Sequence, residues 1–258
     1  MTVAPARQPA LFVGHGSPMN ALEDNAFTRG WCQIAAELPR PRAIVCVSAH
    51  WETAGVAVGA NPRPETIHDF YGFPQALFDV RYPAAGDPTL AQRVASLLGA
   101  QVALDPTRGL DHGVWSVLAV MYPGADIPIV PLSIDRGLSP AEHLALARRL
   151  APLRDEGVLI VGSGNTVHNL REFSFRDPRP LDWAVRADRT VRDHVASGNY
   201  AALTDWDALG PDVRRGIAGP EHFLPLLYAL AQQQPGEAVR TFNDTVIGSI
   251  AMTSFVVG

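Results

Sequence analysis

The sequence predicts an α/β fold, in which a single domain is built on a central, mostly parallel sheet flanked by helices on both faces. Short apolar runs recur along the chain and alternate with segments that favour helix. The 258 residues are 47% hydrophobic and 18% charged, which suffices to bury one substantial core. No internal repeat, low-complexity tract or linker interrupts the sequence, so the domain is expected to span residues 1–258.

The predicted strands are runs of apolar, partly β-branched residues bounded by glycine, proline or polar residues. They cover residues 10–14, 43–48, 55–59, 101–104, 128–133, 158–162, 239–242 and 250–257. The runs at 10–14, 43–48 and 158–162 are wholly or almost wholly apolar, which is typical of buried strands. The run at 55–59 is expected to pair beside the run at 43–48.

The predicted helices lie between these strands. They cover residues 24–38, 87–98, 111–121, 139–153, 181–197 and 220–230. Asp111 and Ser139 are expected N-caps, and Pro140 suits the first position of the helix that follows Ser139. The stretch from 61 to 83 is irregular and dense in proline and aromatic residues, so we expect it to form a wall or lid over a pocket.

The composition excludes several classes of partner. A net charge of −5 without a basic cluster argues against nucleic acid and anionic membranes. No stretch approaches the roughly 18 apolar residues of a membrane span. Two cysteines are too few for a disulfide framework, and Cys46 lies inside an apolar run, so a cytoplasmic protein with reduced thiols is expected. A homo-oligomer is compatible with the sequence.

Three of the eight histidines follow predicted strands. His15 and His50 come directly after apolar runs, and His168 follows a third run by six residues. Since ligands of open α/β sheets bind beyond the carboxyl ends of the strands, these side chains are expected to converge on one crevice. Imidazole is the commonest neutral metal ligand, so the sequence favours a metal or catalytic site there.

The other histidines carry weaker signals. His222 beside Glu221 is typical of a solvated first helical turn, while His143 and His194 are expected on the surface. Dinucleotide, phosphate-loop and nucleophile-elbow motifs are missing from the sequence. A hydrolase with Ser163 as nucleophile and His168 as base is a weaker alternative to metal chemistry.

Six motifs together resemble one known family. They are Gly14-His15-Gly16-Ser17-Pro18, Ser48-Ala49-His50-Trp51, His68-Asp69-Phe70-Tyr71-Gly72-Phe73-Pro74, Leu110-Asp111-His112-Gly113-Val114-Trp115, Gly162-Ser163-Gly164-Asn165-Thr166-Val167-His168-Asn169-Leu170 and Glu221-His222-Phe223-Leu224-Pro225-Leu226. In this order they resemble the class III extradiol ring-cleavage dioxygenases, in particular the branch of 4,5-DOPA extradiol dioxygenase type. The resemblance runs from about residue 11 to the C-terminus.

The resemblance implies a role for five histidines. It implies that His15, His50 and His222 ligate one divalent metal ion, which replaces the expectation of a solvated His222. It also implies that His168 is the acid/base of the reaction and that His112 lines the substrate pocket.

The implied reaction is the opening of a catechol ring by O₂. Fe²⁺ is needed for the electron transfer, whereas Zn²⁺ suits the same three imidazoles but has no redox chemistry. Phe70, Tyr71 and Phe73 are expected to form a wall against the substrate ring. Two alternatives stay open from the sequence: a zinc-dependent hydrolase with the same three ligands, and a metal-retaining interaction protein without catalysis.

Overall fold

The computed structural model describes residues 6–258, so residues 1–5 of the predicted domain lie outside the described residues. Ten strands are found in this part of the chain. They are β1 (Ala10–Gly14), β2 (Ala43–Thr53), β3 (Ala57–Gly59), β4 (Ala103–Asp105), β5 (Ile129–Asp135), β6 (Val158–Gly164), β7 (Val239–Phe242), β8 (Val246–Ile247), β9 (Ile250–Ala251) and β10 (Ser254–Val257). The predicted strand at 250–257 is therefore divided into two.

Eight of these strands form one sheet, in the order β4, β3, β5, β2, β6, β1, β10, β7. The four central strands are parallel, since β2 pairs in parallel with both β5 and β6, and β6 with β1. Antiparallel pairs occur toward the edges, between β3 and β5 and among β1, β10 and β7. The prediction that β3 pairs beside β2 is wrong, because β5 and β6 already occupy both sides of β2.

Helices connect the strands. They are α1 (Ala26–Glu37), α2 (Gln75–Phe78), α3 (Pro88–Leu98), α4 (His112–Met121), α5 (Pro140–Ala147), α6 (Pro152–Asp155), α7 (Asp182–Ala196), α8 (Pro211–Gly216) and α9 (Leu224–Leu230). The side chain of Asp111 caps α4, and Ser139 forms a capping box with Glu142 at α5, as predicted. The predicted helix at 139–153 is divided, however, by a 3₁₀ turn before Pro152.

The sheet buries a separate apolar core on each face. Alternate residues of β1 point to opposite faces, so that Phe12 joins one core while Leu11 and Val13 join the other. Helices α3, α5, α7 and α9 cover the first core, and α1 and α4 cover the second, where Trp31 and Trp115 are fully buried. The predicted α/β architecture with helices on both faces is confirmed.

A bulge interrupts the pairing of β2 with β5. Val47 pairs with Leu132, and the next pair joins Glu52 to Ile134. Between these two pairs the chain advances five residues in β2 but only two in β5. His50 lies inside this bulged part of the strand, whereas the sequence predicts it just after the strand. Bulges re-aim side chains next to active sites. Here the bulge lies at the carboxyl edge of the parallel strands.

The described part of the chain has two further features relevant to its environment. No helix within residues 6–258 is both long and apolar enough to cross a lipid bilayer. Cys46 is buried in β2 and Cys32 is exposed, and both are free thiols.

Candidate metal centre

Three histidines from distant parts of the sequence meet at the carboxyl edge of the sheet. His15 directly follows β1, His50 lies in the bulge of β2, and His222 ends a 3₁₀ turn, Pro220–His222, that precedes α9. One nitrogen from each ring lies within 4.8 Å of the other two. The Nε2 atoms of His15 and His50 are 3.3 Å apart. The structure thus brings together the three residues for which metal ligation is predicted.

Close backbone packing brings His222 to this point. A Cβ atom at Gly162 would collide with the carbonyl of Pro225, and one at Gly164 would collide with the carbonyl of His222. The amide of Asn165 donates a hydrogen bond of 2.8 Å to that same His222 carbonyl. Since His222 is only 6% exposed, its interpretation as a residue of a solvated first turn is wrong.

Ser163 fixes the orientation of the His15 ring. Its hydroxyl donates a hydrogen bond of 2.5 Å to the carbonyl of Gly113 and lies 3.0 Å from His15 Nδ1. The hydroxyl proton of Ser163 is already donated to Gly113, so Nδ1 of His15 is the donor to the Ser163 oxygen. Nε2 of His15 is then unprotonated, and its lone pair points toward His50. This engagement argues against Ser163 as a nucleophile activated by His168.

Two more histidines extend the cluster. The His112 ring lies 3.8 Å from that of His50 between ring centroids. The His168 ring stacks on that of His222 at 3.6 Å with an interplanar angle of 10°. His112 therefore lies against the proposed ligands, and all three histidines that follow predicted strands in the sequence reach the same crevice.

Burial keeps these imidazoles neutral. It holds the pKa of His15 and of His222 well below the usual value, with smaller contributions from the neighbouring histidines. Burial, followed by the charge of His112, lowers the pKa of His50 to about 3. Three neutral imidazoles with converging nitrogens are a donor set suited to Fe²⁺ or Zn²⁺, so the residues fit a divalent transition metal.

Asp69 is a charged neighbour whose role the sequence reasoning missed. Its Oδ1 accepts a hydrogen bond of 3.0 Å from the backbone amide of His112 and lies 2.9 Å from Nδ1 of the same residue, outside hydrogen-bond alignment. Its Oδ2 is 3.8 Å from His50 Nδ1. Burial raises the pKa of Asp69, but His112 and then His50 outweigh it and lower the value to about 2. The sequence feature that could have identified Asp69 as a site residue is its position within the His68 to Pro74 motif.

A buried network ties the bulge of β2 to α4. Ser48 Oγ donates to Asp111 Oδ1 at 2.6 Å and accepts from the amide of His50 at 3.2 Å. Arg108 donates to the other Asp111 oxygen at 2.6 Å. Asp111 therefore caps α4 and also anchors the strand that carries His50.

Two of the three residues predicted to form an aromatic wall, Phe70 and Phe73, pack against each other beside His112. The Phe70 ring lies 5.6 Å from that of His112, and those of Phe73 and Phe78 lie 5.2 and 5.1 Å from Phe70. Phe78 was not among the predicted wall residues. Tyr71 is 93% exposed and lies outside this cluster.

Comparison with known proteins identifies the family. Residues 9–247 match the family model described as the catalytic LigB subunit of aromatic ring-opening dioxygenase. The chain belongs to the LigB family. The LigB relatives include 4,5-DOPA dioxygenase extradiol of Escherichia coli (strain K12), 47% identical over 98% of this chain and 95% of the relative. The protein of the same name from Beta vulgaris is 37% identical, over 93% of this chain and 92% of the relative.

A solved structure agrees with the LigB assignment. The crystal structure of an uncharacterized protein from Escherichia coli K12 matches with a TM-score of 0.83 and 42% identity, covering 98% of this chain and 100% of that one. The family resemblance predicted from the six motifs is confirmed. As a LigB-family protein the chain is a metal-dependent extradiol ring-cleaving dioxygenase, and the comparisons do not favour the alternative of a zinc-dependent hydrolase.

Proposed function

We propose that this protein opens the ring of a catechol with a DOPA-like side chain, inserting both atoms of O₂ to give a yellow semialdehyde-type product. One divalent metal ion would be held by His15, His50 and His222. The observation that carries the proposal is the convergence of their three nitrogens within 4.8 Å, with two more imidazoles against them. The names of the relatives support the substrate class.

We assign Fe²⁺ as the active metal. When bound, a redox-active ion supplies charge that favours the catecholate and a path for electrons between the catechol and O₂. Three protein ligands leave positions open for both reactants. Zn²⁺ would occupy the same imidazoles and give an inactive protein, because it has no redox chemistry.

His168 is proposed as the acid/base. Burial, followed by the charge of His50, lowers the pKa of His168 to about 4, and Glu221 acts in the opposite direction. The imidazole is therefore neutral at pH 7 and ready to accept the proton of a catechol hydroxyl, which it would return to the opening ring. Its stacking on His222 holds it beside the ligand set.

His112 and the aromatic residues are proposed to orient the substrate. His112 would hydrogen-bond a substrate oxygen, and Asp69, bound to its backbone amide, would fix its position. Phe70 and Phe73 would pack against the catechol ring and exclude water. Tyr71 lies in the same segment but is 93% exposed, so we assign it no contact with the catechol ring.

Oxygen consumption tests the proposed reaction. We expect protein loaded anaerobically with Fe²⁺ to consume one O₂ per L-DOPA when air-saturated buffer is added, with the rise of a yellow product band. An oxygen electrode and an absorbance trace record both signals. The Zn²⁺-loaded protein is the matched control and should show neither O₂ uptake nor the product band. An Fe²⁺-loaded protein that consumes no O₂ with any catechol contradicts the proposal.

The role of His168 is tested separately. We expect His168→Ala to lower kcat by about 10²- to 10⁴-fold, since a positioned acid/base contributes that much, while the iron content stays at the wild-type level. Stopped-flow absorbance and elemental analysis give the two numbers. Loss of the metal in this variant would instead make His168 a ligand.

The location of the protein is proposed to be cytoplasmic. The support is that both cysteines are free thiols, which is typical of a reducing compartment.

A further inference from the structure

The carboxylate of Glu221 lies beside two rings of the histidine cluster. Its Oε1 is 3.2 Å from Nδ1 of His222, the next residue in the 3₁₀ turn Pro220–His222. A nitrogen of His168, an oxygen of Glu221 and a nitrogen of His222 all lie within 4.8 Å of one another. Since the His168 ring stacks on that of His222, Glu221 faces a proposed metal ligand and the proposed acid/base together.

The space that this carboxylate fills depends on Gly219. A Cβ atom added at Gly219 would overlap with Oε2 of Glu221 and lie 2.8 Å from its Oε1. The backbone itself does not require glycine here, because a φ of −149° and a ψ of 145° form an extended conformation that any residue adopts. The missing side chain at position 219 therefore leaves room for the Glu221 carboxylate beside His222.

His15 shows the same arrangement with a different partner. Its Nδ1 is 3.0 Å from the hydroxyl oxygen of Ser163, which leaves Nε2 for the cluster. Imidazoles that bind a metal through one nitrogen generally donate the N–H of the other to an oxygen, and this bond fixes the tautomer and the orientation of the ring. With Nδ1 of His222 directed at Glu221, Nε2 is likewise the nitrogen left for a cation.

We propose that Glu221 is a positioning residue, which accepts the Nδ1 proton of His222 and so presents Nε2 of that ring to the metal. The inference rests on the proposed function for the role of His222 as a ligand. Glu221 acts through His222 and does not itself bind the ion. Gly219 belongs to the same device, because a side chain at that position would displace the carboxylate.

The affinity for Zn²⁺ tests this role without catechol or turnover. We expect Glu221→Ala to bind Zn²⁺ about 10- to 100-fold more weakly than the wild type, which is the usual effect of removing an outer partner of a ligand. Glu221→Gln keeps an acceptor oxygen and should fall between the two. His222→Ala marks the loss of a ligand, and Glu65→Ala, at an exposed glutamate, is the control that should change nothing. Competition with a zinc indicator gives each affinity.

A change at Gly219 tests the same contact without altering a polar group. Gly219→Ala should weaken Zn²⁺ binding by a factor similar to that of Glu221→Ala. The double variant should bind as Glu221→Ala alone does, because no carboxylate is left to displace. Gly124→Ala is the matched control, since its Cβ would lie 3.3 Å from the Asp126 carboxylate without overlap. Far-UV circular dichroism checks that each variant is folded.

Four results would overturn the proposal. They are wild-type affinity in Glu221→Ala or in Gly219→Ala, additive losses in the double variant, a Gln variant no better than the Ala variant, and a loss in Glu221→Ala as complete as that in His222→Ala. The last result would make Glu221 a ligand. Failure of the proposed function looks different, because it shows as absence of O₂ uptake in the Fe²⁺-loaded wild type or as wild-type Zn²⁺ affinity in His222→Ala.

Discussion

Two sets of buried histidines differ in what their ring nitrogens face. His143 lies inside the core, with Nδ1 2.9 Å from the hydroxyl of Tyr228 and Nε2 3.1 Å from the carbonyl of Asp135. Both of its nitrogens have a protein partner. His15 and His50 instead direct Nε2 at each other across 3.3 Å. A buried imidazole with two partners stabilises the fold, whereas imidazoles whose nitrogens converge offer a set of donors to a cation.

Removing one converging ligand should have the largest effect. We expect His50→Ala to abolish metal retention and activity while the fold stays largely intact, because the apolar cores do not depend on this side chain. Elemental analysis after dialysis and far-UV circular dichroism measure the two properties. His194→Ala, on the partly exposed helix α7, is the control and should retain one ion per chain. A His50→Ala protein with wild-type metal affinity would disprove the assignment.

The second-largest expected effect is the pH dependence of the unfolding free energy of the metal-free protein. Burial lowers the folded-state pKa of His15, His50, His168 and His222 below the ordinary value of 6.5. Below that pH the unfolded chain therefore binds more protons than the folded one, and stability falls with acidification by up to about 1.4 kcal/mol per pH unit for each such histidine.

Urea unfolding at pH 7, 6 and 5 measures this slope. The slope should be shallower in metal-free His50→Ala, which has one such histidine fewer. Equal slopes in the two proteins would mean that His50 is not held neutral by the fold.

A smaller effect is expected from the residue that orients His15. Ser163→Ala leaves the Nδ1 proton of His15 without an acceptor, and loss of such an outer partner lowers metal affinity by about 10- to 100-fold. Competition with a zinc indicator measures the affinity. Ser116→Ala is a matched control, because that buried hydroxyl has no partner among the described residues. The same loss in both variants would point to general core damage.

The smallest effect on the metal centre should come from the fully partnered histidine. Tyr228→Phe removes the donor to His143 Nδ1 and should cost about 1–3 kcal/mol of unfolding free energy, because the buried nitrogen is left without a partner. Metal content should not change. Urea unfolding of the metal-loaded protein measures the cost, and a reduced metal content would contradict the separation of the two sets.

The sequence predicts the fold well where a signal is local. The apolar runs of β1, β2 and β6 identify the centre of the sheet, and the caps at Asp111 and Ser139 identify the starts of two helices. The helix α8 was missed, and its six residues are too few to show a clear period. The surface prediction for His143 is wrong, because its polar sequence neighbours give no sign of Tyr228, a partner 85 residues away.

The site is predictable to a similar degree. His15 and His50 stand out because each lies at or near the end of an apolar strand. His222 has no such local signal, and only the resemblance to the family identifies it, since its place depends on packing against the glycines of β6. The contacts of Asp69 and Ser163 arise from tertiary structure alone.

The distance along the chain between the proposed ligands has a consequence for biosynthesis. His15 and His50 leave the ribosome early, but the ligand set is complete only when the turn at Pro220–His222 has been made and has docked on β6. A nascent or truncated chain therefore offers two imidazoles, without the third that closes the set. With the proposed ligand set, tight metal retention is expected only of the finished protein, and partly synthesised chains are expected to bind the ion weakly.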